Sequence, residues 1–259
     1  VFKDQKVVVV MPAYNAEQTL LRTHEEVMAQ GVVDEVVLVD DASMDRTAQI
    51  AADLEKTRLH RHEVNKGYGG NQKSCYRLAL EMEADIVVMV HPDYQYTPKL
   101  IPAMACLIGN GLYHCVLGSR ILGGNAVRQG MPLWKYAANR GLTWIENMAT
   151  GAKVSEYHTG YRAFSRELLE RIPLEHNSDD FVFDNQMLAQ VLWWGYTIAE
   201  VSCPTKYFAE ASSINFWRST RYGFGCLGTA AEFRLASLGI PSKRFPSKVR
   251  LTAAEAARK

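Results

Sequence analysis

Short apolar runs alternate with amphipathic stretches along the first half of the chain. Lys6–Met11 (KVVVVM), Glu35–Asp40 (EVVLVD) and Asp85–Val90 (DIVVMV) are continuous and rich in β-branched residues. A half-exposed strand would alternate polar and apolar positions, so these runs read as parallel strands buried on both faces. His114–Gly118 and Thr197–Val201 are shorter strands, and Arg58–Val64 is a weaker one. Ala16–Gln30, Asp45–Lys56, Asn71–Met82 and Pro98–Ile108 read as the intervening helices. Alternation at this pace predicts βαβ units, hence an α/β fold with a mostly parallel sheet covered on both faces.

The rhythm changes after Ser119. Leu122–Pro132 is rich in Gly and polar residues and reads as a loop. Leu133–Thr150 is helical in pattern and carries Trp134, Tyr136 and Trp144; Phe181–Trp194 is another helix, stopped by Gly195. Ile214–Leu235 reads as an aromatic helix, and the basic tail from Pro241 as loosely held. The organisation expected is one main domain, residues 1–209, and a C-terminal helical appendage and tail, residues 210–259.

Composition narrows the function classes. With 47% apolar and 22% charged residues the chain is an ordinary globular protein, which excludes disorder or a disulfide miniprotein as its main state. Lys and Arg (29) nearly balance Asp and Glu (28), leaving +1, so a duplex nucleic-acid binder is not expected. Cys75, Cys106, Cys115, Cys203 and Cys226 are scattered without a C-x-x-C pair, which argues against a zinc site or a redox motif and for reduced thiols in the cytoplasm. No apolar stretch approaches the ~18 residues of a membrane span, and Val1–Lys6 does not read as a signal peptide.

Ligands of an open parallel sheet bind beyond the carboxyl ends of its strands, and four polar clusters fall there. They are Pro12-Ala13-Tyr14-Asn15, Asp40-Asp41-Ala42-Ser43, Asn65–Gly70 and His91-Pro92-Asp93-Tyr94-Gln95. Each has a plain structural reading: turns, helix caps, or glycines that serve only their turn. Functionally, a carboxylate in the second cluster could accept N–H donors from a nucleobase. Lys66 and Gly67 open a segment like a phosphate loop, although it lacks both G-x-G-x-x-G and Walker spacing. His91, Asp93 and Gln95 alternate along a segment taken as extended, which would put all three on one face to meet a divalent cation, Mg2+ or Mn2+.

The chain resembles family 2 glycosyltransferases of the GT-A fold, particularly the dolichyl- and polyprenyl-phosphate sugar synthases. The resemblance rests on VVVVMPAYNAEQTL, VLVDDASMDRT, NKGYGGNQK, VHPDYQYTPKLI, GSRILGG, NRGL, HTGYRAFSRELL and FDNQMLAQVLWWGYTIAEV, in that order, from Lys6 to Val201. It implies a GT-A nucleotide-binding sandwich and transfer of a sugar, with inversion, from a nucleotide-diphosphate sugar to an acceptor, polyprenyl phosphate or another lipid. Pro12, Ala13, Tyr14, Asn15 and Asp40, with Lys66 and Gly67, would line the nucleotide site, and Asp41 would read the base. Asp93 and Gln95, with His91, would hold the metal. Arg120, Asn139 and Arg140 would face the acceptor phosphate, and Thr159, Gly160 and Arg162 would lie beside the sugar. Asp184 falls where inverting members carry an acid on the catalytic helix; a hydroxyl acceptor would need it as a base, a phosphate acceptor would not. His91-Pro92-Asp93 stands where the family usually has Asp-x-Asp, and Tyr207–Ser213 where the synthases have an Arg-containing segment. An alternative is therefore a nucleotide-sugar-binding protein with weak or lost catalysis; a nucleotidyltransferase is a third. Asn215–Phe224 (NFWRSTRYGF), Trp134, Tyr136 and Trp144 fit either a membrane interface, at the inner face of a membrane, or packing in a core or dimer, with core packing preferred.

Overall fold

The β-branched run at the start of the chain becomes the central strand. β1 (Val7–Ala13) lies between β2 (Glu35–Asp40) and β4 (Ile86–Met89), parallel to both, so that Val9 faces Val36 on one side and Val88 on the other. The computed structural model describes residues 2–124, 126–204 and 216–247, with the backbone alone at 216 and 217. Strand alternation sends Val8 and Val10 to one face and Val7, Val9 and Met11 to the other, and all five are fully buried. Both faces are covered, which is why the run is continuous rather than alternating. On one side pack α1 (Leu20–Met28) and α4 (Ile101–Gly109); on the other, α3 (Gly67–Glu81) and α7 (Phe183–Trp193).

Seven strands lie in the order β3-β2-β1-β4-β6-β5-β7, with β3 at Thr57–Arg61, β5 at Cys115–Ser119, β6 at Arg162–Ser165 and β7 at Ile198–Ser202. Every neighbouring pair is parallel except those of β6, which runs antiparallel to both β4 and β5. The GT-A-type α/β fold and the mostly parallel sheet therefore stand, with one strand, β6, that the hydrophobic pattern did not reveal. Its reversal has a consequence. The first residue, Arg162, pairs with Met89 and Leu117 near the carboxyl ends of β4 and β5, so the segment leading into β6 runs along the ligand-binding edge.

Two other expectations need correction. The third strand ends at Arg61, and α3 starts at Gly67 rather than Asn71, so the glycine-rich segment is the helix's first turn and not a loop. The tail is anchored as far as Pro246: Phe245 is fully buried against Trp193 and Phe233, and Trp193 Nε1 donates to the Pro246 carbonyl at 3.1 Å. These contacts hold α8 (Phe216–Ser237) against α7, while its Gly223 lies against Leu142 of α5 (Leu133–Thr150). The expected boundary near residue 209, the Tyr207–Ser213 segment and Asn215 lie outside the described residues. Replacing Phe245 with Ala empties a fully enclosed aromatic site and should cost about 3 kcal/mol. Urea denaturation measures this as a lower midpoint at unchanged slope, and a loss below ~1 kcal/mol would contradict the anchoring.

Candidate active site

The four clusters converge at the carboxyl edge of the sheet, but many of their polar groups are already engaged. Pro12 and Ala13 end β1 and are buried in register with Val39 and Asp40. Tyr14 and Asn15 follow, exposed at the rim. Asn15, with positive φ, donates its amide to Ser43 Oγ (2.9 Å) and accepts the Met44 amide on Oδ1 (3.0 Å), which locks the first cluster to the second.

Asp40 is wholly buried, accepts the Ser43 amide (3.2 Å), and has Arg61 Nε 3.1 Å from its Oδ2. Asp41 is also buried. Its Oδ1 accepts the Lys66 amide and His62 Nδ1 (both 2.8 Å), and its Oδ2 accepts the Gly67 amide (3.0 Å). The carboxylate thereby caps α3 from a different strand, offsetting the positive end of the helix dipole. Gly69 and Gly70 donate to the Asp179 carbonyl, so the amides that a phosphate loop would present are directed at protein acceptors. The glycines serve close approach: a Cβ at Gly69 would lie 2.3 Å from the Ser178 carbonyl oxygen. The exposed members of these clusters are Tyr14, Asn15, Asn65 and Lys66.

The third group is held by a buried network centred on Arg162 and Asp184. Arg162 is fully buried, with Nη1 3.1 Å from Asp184 Oδ1. Gln72 donates to Asp184 Oδ1 (2.8 Å) and Tyr68 donates to Oδ2 (2.7 Å). Burial works against the Arg162 charge, but the Asp184 carboxylate together with Tyr68, Tyr76 and Tyr222 outweighs it and holds the guanidinium pKa above its usual value. Burial, and then the adjacent Asp184 charge, drive the Tyr68 phenol far above the usual range. Tyr68 spends its one proton on Asp184, so its 2.9 Å bond to His91 requires His91 Nε2 to donate. That assigns the tautomer and leaves Nδ1 as the nitrogen with a lone pair. The His91 ring also packs on Gly160, where a Cβ would come within 2.8 Å of it.

The segment after His91 is a turn, not the extended strand expected. Tyr94 has a φ of 57° and the Gln95 amide donates back to Asp93 Oδ1 at 3.1 Å, so a shared face from strand alternation does not apply. The donor types still suit a divalent cation: one carboxylate, an imidazole lone pair and an amide oxygen match a Mg2+ or Mn2+ site completed by phosphate oxygens.

Arg120 is bound to Glu156, a fully buried carboxylate that also accepts the Arg120 amide (2.8 Å) and Asn139 Nδ2 (2.8 Å). Burial alone would raise the Glu156 pKa; the Arg120 charge and hydrogen bonds reverse this and hold it low. Arg140 donates to the Ser155 carbonyl and has no carboxylate partner among the described residues. Arg120 and Arg140 thus differ: one is charge-compensated, the other is not. The network residues Tyr68, Gln72 and Glu156 were not singled out from the sequence. Tyr68 and Gln72 had a usable signal in their i, i+4 spacing on α3, which places them on one helix face.

The model for "Glycosyl transferase family 2" matches residues 8–173. The chain belongs to this glycosyltransferase family. Among curated family relatives, the dolichyl-phosphate hexose transferase of Haloferax volcanii is 31% identical over 210 residues, covering 80% of this chain and 86% of that one. The UDP-N-acetylglucosamine–dolichyl-phosphate N-acetylglucosaminyltransferase of Methanococcus voltae is 31% identical over 183 residues, covering 64% and 72%. The solved glucosyl-3-phosphoglycerate synthase of Mycobacterium tuberculosis, in complex with Mn2+, UDP and glucosyl-3-phosphoglycerate, shares the fold at a TM-score of 0.65 and 20% identity, covering 93% and 82%. In this glycosyltransferase the capping role of Asp41 makes a direct stability prediction. Asp41→Ala releases three donors at once, and hydrogen bonds to a charged group contribute ~1.5–3 kcal/mol each. Urea denaturation should show a loss of at least ~2 kcal/mol with or without nucleotide; wild-type stability in the variant would contradict the capping role.

Proposed function

We propose that the protein is an inverting glycosyltransferase that moves a sugar from a nucleotide-diphosphate sugar to a polyprenyl phosphate at the inner, cytoplasmic face of a membrane. The observation that carries the choice of acceptor is the engagement of Asp184. A general base must accept a proton from the nucleophile, yet both Asp184 oxygens already accept protein donors and one faces Arg162. A hydroxyl acceptor would need that base. A phosphate monoester is already anionic near neutral pH and attacks without one. Asp184 then acts as a positioning residue, fixing Tyr68 and Arg162.

The donor nucleoside lies along Tyr14 and Asn15, with Asp40 and Asp41 shaping the floor behind them and Lys66 and Gly67 at its edge. Asp93, with His91 and Gln95, would hold the divalent cation, which when bound would neutralise charge developing on the diphosphate leaving group. Arg140 meets the acceptor phosphate, and Arg120, held by Glu156, to which Asn139 also donates, fixes the adjoining wall. The acceptor attacks the anomeric carbon opposite the leaving diphosphate, which inverts that centre.

The lipid part of the reading draws on α5. Trp134, Trp144 and Met148 are 49%, 64% and 63% exposed, at positions that recur on one helical face. For Trp134 and Trp144 this corrects the expectation of packing in the core. Phe224 of α8 is also exposed, next to solvent-facing Arg218 and Arg221, whereas the Trp217 side chain lies outside the described residues. No helix among the described residues is long and apolar enough to cross a membrane. Exposed aromatics beside cations suit a helix resting in the headgroup region.

Transfer of labelled sugar from a panel of nucleotide sugars to polyprenyl phosphate and to polyprenol, with Mg2+ or Mn2+, tests the proposal. Polyprenyl phosphate should be glycosylated with release of nucleoside diphosphate, and polyprenol should not. Glycosylation of polyprenol, or donor binding without turnover, would overturn it. Arg140→Ala should raise KM for polyprenyl phosphate at least ~10-fold, a charge-assisted bond of ~1.5 kcal/mol or more, with donor KM unchanged. Trp144→Glu should lower co-sedimentation with vesicles containing anionic lipid; unchanged binding would exclude the α5 face as the contact.

A further inference from the structure

A second cluster of metal-ligating side chains lies apart from the donor site. Glu146 of α5, His158 in the segment ahead of β6, and Cys226 of α8 converge from three separate elements, a grouping that the cysteine spacing argued against, with their candidate donor atoms all within 4.8 Å of one another. Glu146 is 3% exposed, Cys226 is fully buried, and the His158 side chain is 9% exposed. Glu146 Oε2 and His158 Nε2 are both buried atoms without a hydrogen-bond partner, and they lie 3.3 Å apart. Two orphaned polar atoms facing each other in a buried site are costly unless something joins them.

From this geometry we propose that Glu146, His158 and Cys226 form a site for Zn2+ or a similar borderline-soft divalent cation. A tetrahedral ion with nitrogen and oxygen donors at ~2.0–2.1 Å separates them by about 3.3 Å, the spacing of the two orphaned atoms. A sulfur and an imidazole among the donors disfavour Mg2+ and Ca2+, which prefer oxygen. Charge balances too: a thiolate, a carboxylate and a neutral imidazole cancel the two positive charges of the ion.

The surrounding groups already orient the ligands. Tyr222 Oη lies 2.8 Å from His158 Nδ1; an Nδ1–H donating to it would direct the Nε2 lone pair at the site. Asn185 donates to Glu146 Oε1, leaving Oε2 for the ion. Partners of this kind fix tautomer and orientation in metal centres. Three protein ligands leave one coordination position open. An ion here would clamp α5, the segment that carries Thr159 and Gly160, and α8 to one another, bracing the acceptor side of the cleft from behind.

Cobalt titration of the full chain after chelator treatment tests the site. The wild type should develop a thiolate-to-Co2+ charge-transfer band in the near ultraviolet, saturating at one equivalent and bleached by Zn2+. Asp93→Ala, which removes the carboxylate of the proposed donor-metal site, should keep the band; Cys226→Ser should lose it, and Glu146→Gln should weaken Co2+ binding at least ~10-fold. Zn2+ should raise the Tm of the wild type and of Asp93→Ala but not that of Cys226→Ser. Absence of a thiolate band in the wild type, or its persistence in Cys226→Ser, would overturn the proposal.

Discussion

The buried pair of Arg162 and Asp184 is the constraint on which the site depends. A guanidinium with no solvent exposure is tolerable only if a carboxylate and enough hydrogen-bond acceptors surround it. Asp184 supplies the charge, and the Thr159, Asp184 and Tyr157 carbonyls accept from Nε, Nη1 and Nη2 respectively. The pair ties β6 to α7. Through Tyr68 and Gln72 it also ties α3 to the same point, and through Tyr68 it orients His91. Removing one partner of such a pair typically costs ~3–5 kcal/mol, because the other charge is left buried and alone.

The antiparallel insertion of β6 makes this arrangement possible. A parallel strand in that place would deliver its last residues to the ligand edge, whereas β6 delivers its first. The segment from Glu156 to Arg162 therefore passes the ends of β4 and β5, meeting Arg120 through Glu156 and the His91 ring through Gly160. The same segment carries His158 toward α5 and α8. One reversal in strand direction thus links the donor side, the acceptor side and the helical layer behind them.

Much of this was legible in the residue pattern. The central strands were, because burial on both faces writes itself as unbroken β-branched runs, and the position of the ligand edge followed from strand order. What escaped was set by contacts between residues distant in sequence. β6 spans only Arg162–Ser165, too short for a periodic signal, and it is defined by its two neighbours. The start of α3 was placed late because glycines are poor helix formers and its cap comes from Asp41, 25 residues upstream of the Lys66 amide. Glu156 stands in no motif, and only the fold reveals it as the partner of Arg120. The α5 tryptophans showed a helix with an apolar face but not that this face would be left uncovered.

The central claim, that Asp184 positions the site and does not take a proton from the nucleophile, is tested most directly by the pH dependence of kcat for Asp184→Asn beside the wild type, using polyprenyl phosphate as acceptor. The isosteric amide removes the ability to act as a base and keeps a hydrogen-bonding side chain next to Arg162. A positioning role predicts a lower kcat across the whole range, with the acid limb of the profile retained at the same pH. Loss of that acid limb in the variant would mean that Asp184 is the titrating base, and would contradict the account.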